Sequence, residues 1–251
     1  VEIEEYARIA AAEDDHWWYR NTRGLASDFL QPWLAARQSG ARRILDAGCG
    51  PGGNGAWLAE HGTLVGVDVA TDALAFVRAR RPSTLPVRGS LAALPFPDHR
   101  FDVVLAVTVL YTIPDDARAL RELARVLAPG GAVLLVEPAF EALRREHDVA
   151  VHGRRRYRRA DLSSRVRDAG LTVQRATYAY SFLAPPAAAL GAWERVRAPV
   201  GTSTAAGAPA SDLDRRTLDR AFAPLAQVER RYLTRHEVPF GTTVIVVATA
   251  P

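Results

Sequence analysis

Apolar positions along the chain gather into short solid runs, separated by stretches where they recur every three or four residues. Solid runs of this length fit strands buried on both faces, and the one-sided spacing fits helices that cover them. From Glu2 to Ala12 the residues Ile3, Tyr6, Ile9 and Ala10 share one helical side, and a second helix is predicted from about Thr22 to Gln38, ending near Gly40. Three βα units follow. Strand Arg43–Asp46 leads to helix Asn54–His61, and strand Leu64–Asp68 to helix Ala70–Arg81, which Thr71 or Asp72 can cap. Pro86–Gly89 is a short third strand before a loop and a weak helix to Leu94. Asp102 opens an apolar run to Ala106, helix Asp115–Leu127 stops at Pro129-Gly130-Gly131, and that turn feeds strand Ala132–Glu137. Downstream, Arg159–Gly170 reads as a helix and Leu171–Tyr180 as strand six. Pro185 to about Ala210 reads as helix plus mobile loop, Leu213–Arg235 as a helix broken at Pro224, and Thr242–Ala250 as a last strand. There is no internal repeat.

Composition narrows the class. A chain of 251 residues with 48% hydrophobic content has room for one large domain, or a domain with a substantial cap. One cysteine excludes a disulfide framework and points to a reducing compartment. No apolar run approaches the roughly 20 residues that span a bilayer, and no secretory signal opens the chain. A cytoplasmic protein without membrane contact is therefore expected. All 32 basic residues are arginine, and the net charge is only +4. Together with abundant alanine and no methionine, this reads as GC-biased coding rather than a surface for a polyanion, so a nucleic-acid partner is not expected. The missing methionine also means that Val1 is not expected to be the translational start.

The densest chemistry lies at Ile44-Leu45-Asp46-Ala47-Gly48-Cys49-Gly50-Pro51-Gly52-Gly53, a buried strand running into a glycine-packed turn, with a second acid, Asp68, closing the next strand. Glycines let backbone approach a ligand, and a carboxylate at the next strand end can take ribose hydroxyls. A dinucleotide turn wants G-x-G-x-x-G with a pyrophosphate at the helix start. Here Gly48, Gly50 and Gly52 read G-x-G-x-G behind Asp46. An acid so close to the turn repels a pyrophosphate and suits an ammonium group.

This stretch resembles motif I of the class I S-adenosylmethionine (SAM) methyltransferases. Leu94-Pro95-Phe96, Phe101-Asp102-Val103-Val104, a helix, Pro129-Gly130-Gly131 and a buried strand, in that order, resemble the following region of their small-molecule members, so the likeness covers about Ile44 to Pro138. It implies an α/β fold: a Rossmann-like, seven-stranded, mostly parallel sheet with an antiparallel last strand between strands five and six. Helices cover both faces, with an N-terminal helical cap and a helical insertion before the last strand. Residues 1–40 are the expected cap or lid, 41–138 the SAM-binding core, and 139–251 the C-terminal part of the same domain. The resemblance places Asp46, Gly48, Gly50 and Gly52 around the methionine portion of SAM, Asp68 on the ribose and Val69 on the adenine face. Ala106 and Val107 fall beside the SAM amino group. Ser90, next to Leu91, stands where the family usually carries an acid for the adenine amino group. Thr112 stands where many relatives have histidine. The segment His16-Trp17-Trp18-Tyr19-Arg20 matches an N-terminal stretch of several relatives, read either as a lid whose Arg20 or Arg23 reaches the methionine carboxylate, or as aromatics that dock the first helices on the sheet.

The catalytic half is less legible. Methyl transfer from a sulfonium is an in-line displacement, so alignment and exclusion of water carry it, and a base is needed only when the acceptor must lose a proton. His152, then His147, are the candidate bases, in a segment that resembles an H-x-R-R-Y-like stretch of some members with altered spacing; the arginines from Arg154 to Arg159 could meet an anionic acceptor. Cys49 is small enough for the turn and has no neighbour to activate it. No closely spaced ligand set points to a metal. The expected activity is SAM-dependent methylation of a small molecule at oxygen or nitrogen, with an Arg- and Ala-rich chain suiting a tailoring role in bacterial secondary metabolism. An RNA methyltransferase, a non-catalytic SAM-binding protein and a nicotinamide enzyme are the alternatives.

Overall fold

The structure, a computed structural model, describes residues 3–35, 42–145, 148, 151–197 and 219–251. Its strands are β1 (Arg43–Ala47), β2 (Thr63–Asp68), β3 (Thr84–Arg88), β4 (Phe101–Val107), β5 (Leu127–Pro138), β6 (Thr172–Ala179) and β7 (Thr243–Thr249). They form one sheet in the order β3-β2-β1-β4-β5-β7-β6. The first five pair in parallel, and β7 runs antiparallel to both neighbours. This is the sheet that the family resemblance implies. The chain winds outward from β1 in one direction and from β4 in the other, so the switch point falls between them. There the C-terminal strand ends leave a crevice that crossovers do not fill.

Side-chain alternation splits the core in two. Leu45, Val104, Val133, Leu135 and Val246 face one side, and Ile44, Val103, Leu105, Leu134 and Val247 the other, all essentially inaccessible. The first face is covered by α5 (Asp116–Val126) and α6 (Arg159–Asp168), the second by α2 (Trp17–Ala35) and α8 (Asp219–Leu233). Truncating one such leucine to alanine costs about 2–5 kcal/mol. Asp115 caps α5, accepting from the Arg118 N–H at 2.9 Å.

Several boundaries differ from the sequence reading, each for a physical reason. Helix α2 starts at Trp17 rather than Thr22, because the His16 Nδ1 accepts from the Trp18 N–H and the buried Trp17 ring packs on Tyr180 and Phe222, both at 5.6 Å. Its expected end near Gly40 lies outside the described residues. Helix α3 is only Gly55–Ala59, and the weak helix before Leu94 is a turn closed by a Ser90–Ala93 bridge. The Pro129–Gly131 stop signal lies inside β5: five steps from Leu127 to Ala132 oppose two from Phe101 to Val103, and Gly130 absorbs the bulge at φ +71°. Pro224 sits within α8 rather than breaking it, since it forfeits one backbone bond while Ala226, Glu229 and Leu233 stay buried. Helix α7 (Ala184–Arg197) carries Pro185 and Pro186 in its first turn, where their missing N–H groups cost nothing. The loop expected after it falls on residues 198–218, outside the described residues.

Candidate cofactor and active site

The glycine turn leaves β1 at the switch point. The Val67 carbonyl accepts from the N–H groups of both Gly48 and Cys49, at 2.8 and 3.0 Å, which bends the chain back over β2. Gly48, at φ +75°, is packed so tightly against Val109 that a Cβ would collide with that side chain. Gly50 and Gly52 also have positive φ, and beyond Gly50 there is open space. Asp68 shapes the turn from the next strand, one carboxylate oxygen accepting from the Gly50 N–H and the other from the Ala70 N–H, both at 3.0 Å. Each oxygen keeps a lone pair for a ligand.

Asp46 is buried, with the Asn54 side-chain amide donating to it at 3.3 Å. Burial pushes its pKa up to about 7, and the charges of Glu13 and Asp68 add to this. Cys49 shares the pocket, and burial followed by the two aspartates drives its thiol well above the ordinary range. It stays a thiol and packs against Leu74 and Val77. The register pairs Asp46 with Leu105, which sets Ala106 and Val107 beside the turn. Past the end of β2, the exposed Val69 lines a cleft of about 350 Å³ with Arg88, Gly89 and Ser90. Leu91 is buried in the core, so what it can offer a ligand is its backbone.

The cap, α1 (Ile3–Ala12) and α2, lies against this pocket in a way the sequence did not reveal. Glu13, only 2% exposed, packs over Gly53 and is ion-paired and hydrogen-bonded to Arg80, with Arg81 at 3.9 Å. Asp14 pairs with both arginines. Burial raises the Glu13 pKa, against the opposing pull of Arg80. Arg23 donates to the carbonyls of Glu13 (2.6 Å), Asp14 (3.3 Å) and Gly53 (3.5 Å), tying the cap to the glycine turn. Those bonds direct its guanidinium to backbone, whereas Arg20 is exposed. Tyr6 is buried, its pKa pushed up to about 12 by burial and then by the charge of Asp68.

At the far side of the switch point, buried Glu137 accepts from the N–H groups of Val109 (3.2 Å), Leu110 (2.9 Å) and Tyr111 (3.2 Å). Burial lifts its pKa to about 8 although the three donors favour the anion. These bonds fix the turn that carries Tyr111, whose hydroxyl is pushed up by burial, then by Glu137 and Asp148. Thr112 turns its hydroxyl back to the Val109 carbonyl at 2.7 Å. His152 sits exposed at φ +59°, next to Gly153, which abuts the Tyr111 ring. His147 lies outside the described residues. The arginine run is largely engaged internally: Arg155 with Asp116 at 2.7 Å, Arg156 with Asp148 at 3.0 Å, Arg159 with Glu237 at 3.1 Å. Among the described residues no cluster of three or more His, Cys, Asp or Glu side chains could hold a metal ion, and no helix is long and apolar enough to cross a membrane.

A doubly wound sheet with a glycine turn and two acids at its switch point is the α/β arrangement in which ligands bind outside the carboxyl ends of the strands. Residues 45–135 match the family described as a methyltransferase domain. A Mycolicibacterium smegmatis protein named as an S-adenosylmethionine-dependent methyltransferase is 36% identical over 128 residues, 51% of this chain and 47% of that protein. A fatty-acid O-methyltransferase of the same organism is 39% identical over 101 residues, 38% of this chain and 37% of that one. The chain thus matches less than half the length of these curated relatives. A methyltransferase solved in complex with the Haloferax volcanii Trm112 methyltransferase activator shares the fold, with a TM-score of 0.60 at 22% identity, over 99% of this chain and 95% of that one. Residues 45–135 thus resemble a methyltransferase domain, set in a chain whose fold is that of solved methyltransferases.

Proposed function

We propose that the chain binds SAM at the switch point and methylates a small-molecule acceptor at oxygen or nitrogen. The observation that carries this reading is the pair of buried acids, Asp46 and Asp68, at the glycine turn, with open space beyond Gly50 and a separate cleft just past the end of β2. Acids there repel a pyrophosphate and attract a cationic nucleoside, so the residues fit SAM. Bound there, SAM would supply a methyl group on a sulfonium. Asp46 would hold the ammonium, Asp68 the ribose hydroxyls, and Val69 the adenine face, with Ala106 and Val107 walling the amino-acid end. The 1–40 cap would act as the lid, through Glu13 and Arg23 rather than through the aromatics. Trp17 is taken up by docking on Tyr180, Phe182 and Phe222.

The fatty-acid O-methyltransferase among the relatives supports an oxygen acceptor. A carboxylate acceptor arrives without a proton and needs no base; a hydroxyl or amine does, and His152 is then the candidate, with His147 behind it. Calorimetry with S-adenosylhomocysteine and with NAD tests the cofactor; binding of NAD alone overturns it. Transfer of labelled methyl to a panel of acids, alcohols and amines tests the acceptor. On a carboxylate, His152→Ala should change kcat less than threefold; on a hydroxyl or amine it should cost about 10²-fold or more.

A further inference from the structure

A buried phenol normally finds a hydrogen-bond partner for its hydroxyl. Tyr157 donates to Asp116 at 2.8 Å, Tyr178 accepts from the Arg159 N–H at 2.9 Å, and Tyr180 pairs with Thr22 at 2.6 Å. Tyr232 is exposed on α8. The hydroxyls of Tyr6, Tyr19 and Tyr111 make no hydrogen bond among the described residues. Yet Tyr6 and Tyr111 are each only 8% exposed, and Tyr19 is half-buried.

Tyr6 lies beside Asp68, at the end expected to hold the cofactor. Tyr19 and Tyr111 lie elsewhere. Tyr19, in the first turn of α2, is near Glu13, which packs over Gly53. Tyr111 belongs to the turn Leu110–Thr112, beside the Val109 that packs on Gly48. Glu137 holds its N–H at 3.2 Å, and Gly153 abuts its ring. One phenol thus stands on each wall of the glycine turn. Burial first, then Glu137 and Asp148, push the Tyr111 hydroxyl up, and Tyr19 is close enough to add to this. Burial raises Tyr19 as well, so both phenols keep their protons. Arg154 gives its N–H to the Tyr111 carbonyl at 2.8 Å, and its exposed guanidinium has no partner among the described residues.

A methyl acceptor must keep one lone pair for the incoming carbon. A neutral amine has only that one, so even when its own N–H bonds a phenol oxygen, both phenol protons stay unmatched. A carboxylate attacks with one oxygen and keeps the other to accept from both phenols. A buried donor left unmatched costs more than a matched one gains.

Resting on the SAM reading above, we propose that Tyr19 and Tyr111 form the acceptor subsite and hold a carboxylate, one oxygen accepting from both phenols while the other faces the methyl carbon. The new C–O bond forms as the methyl–sulfur bond breaks, with its electron pair left on sulfur. The two opposite charges cancel, the products are a methyl ester and a neutral thioether, and no proton moves. Arg154 adds a cation at the rim.

The test uses the whole chain with tyrosine labelled with carbon-13 at Cζ, the Tyr19 and Tyr111 signals being assigned from Tyr19→Phe and Tyr111→Phe. Octanoate, 1-octanol and octylamine are titrated as probes into the protein saturated with S-adenosylhomocysteine. Octanoate should shift both signals saturably while those of Tyr157 and Tyr178 hold, and should bind at least tenfold more tightly than the alcohol or the amine. Each substitution should weaken octanoate at least tenfold. It should also keep the Kd for S-adenosylhomocysteine within twofold, which shows that the variant is folded. If octanoate moves neither signal, binds no better than the other probes, or is indifferent to both substitutions, the proposal is overturned and the SAM reading stands. A chain that does not bind S-adenosylhomocysteine overturns both.

Discussion

Titrating Asp46 should switch cofactor affinity within two pH units of neutrality. Its carboxyl is raised from an ordinary 3.8 to about 7, chiefly by burial. In the ligand-free protein it is therefore largely protonated at pH 5.5 and largely ionised above pH 7.5. An ammonium group pairs with the anion, so binding must release that proton at low pH. For one displaced proton and a pKa of about 7, the affinity for S-adenosylhomocysteine should fall about 25-fold between pH 7.5 and 5.5. The stability of the ligand-free chain moves the other way. A raised carboxyl pKa means the native state holds the proton longer than the unfolded state does. The contribution is thus fully present below about pH 4 and lost as pH rises towards 7. Over that shift the loss is about 4 kcal/mol, restored when a cation binds. Asp46→Asn should abolish the pH slope of binding, weaken binding at pH 7.5, and raise the ligand-free Tm there. Calorimetry at four pH values, alongside thermal unfolding with and without ligand, measures all three. A wild-type affinity flat within twofold, or a slope that survives Asp46→Asn, would refute the assignment of the ammonium to Asp46.

Three further outcomes follow from the same geometry. Asp68→Ala removes two charge-assisted bonds to the expected ribose and releases the Gly50 and Ala70 N–H groups, so S-adenosylhomocysteine should bind at least tenfold more weakly by calorimetry. Arg80→Ala leaves Glu13 buried beside Arg81 alone, which should cost about 2 kcal/mol, seen as a Tm lower by roughly 4–8 °C. Glu13→Gln in the Arg80→Ala background should recover much of that loss. Gly48→Ala meets both a positive φ and the Val109 side chain, whereas Gly50→Ala meets only the φ. Thermal unfolding should show the first losing about 2–4 kcal/mol and the second about 1, and equal losses would contradict the close-approach argument.

The parts of the site that sequence made legible are those where local chain geometry and chemistry coincide. Asp46, the three glycines and Asp68 sit on two adjacent strands and the turn that leaves the first, so their spacing alone brings them together. The sheet was legible for the same reason, since strands buried on both faces leave solid apolar runs. Glu13 escaped because its partners Arg80 and Arg81 lie 67 residues along the chain in their bonds to Glu13 and Asp14, and an acid before a helix start looks like any solvated acid. Only the Arg80-Arg81 doublet facing an acidic run could have hinted at it. The β5 bulge escaped because Pro-Gly-Gly signals a turn, and a bulge is a turn that the flanking ladder continues past. Tyr180 also gave no sign of its work. It is fully buried in a left-handed conformation, with its hydroxyl on Thr22 at 2.6 Å and its N–H donated to Glu229 of α8 at 2.5 Å. Those two bonds fasten cap, sheet and insertion together, and no pattern of hydrophobicity announces them.

Cap and pocket are one electrostatic unit rather than a lid set on a finished site. Glu13 from the cap and Asp46 and Asp68 from the strand ends surround one glycine turn, and the charge of Glu13 raises the pKa of Asp46. The neighbouring cations Arg80 and Arg81 are engaged with Glu13 and Asp14, and Arg23 with carbonyls, so nothing basic is directed at Asp46 or Asp68 among the described residues. A ligand cation entering there relieves repulsion felt by all three acids at once. On the proposed reading, free energy gained at Asp46 would also strengthen the contact that holds α1 down, and a cap held down would exclude water from the methyl position. Loosening the latch should in turn weaken the cofactor, because thermodynamic coupling between two sites is reciprocal. Arg80→Ala, far from any expected ligand contact, should thus raise the Kd for S-adenosylhomocysteine as well as lower the Tm. A variant that loses stability with an unchanged Kd would show that cap and pocket act independently.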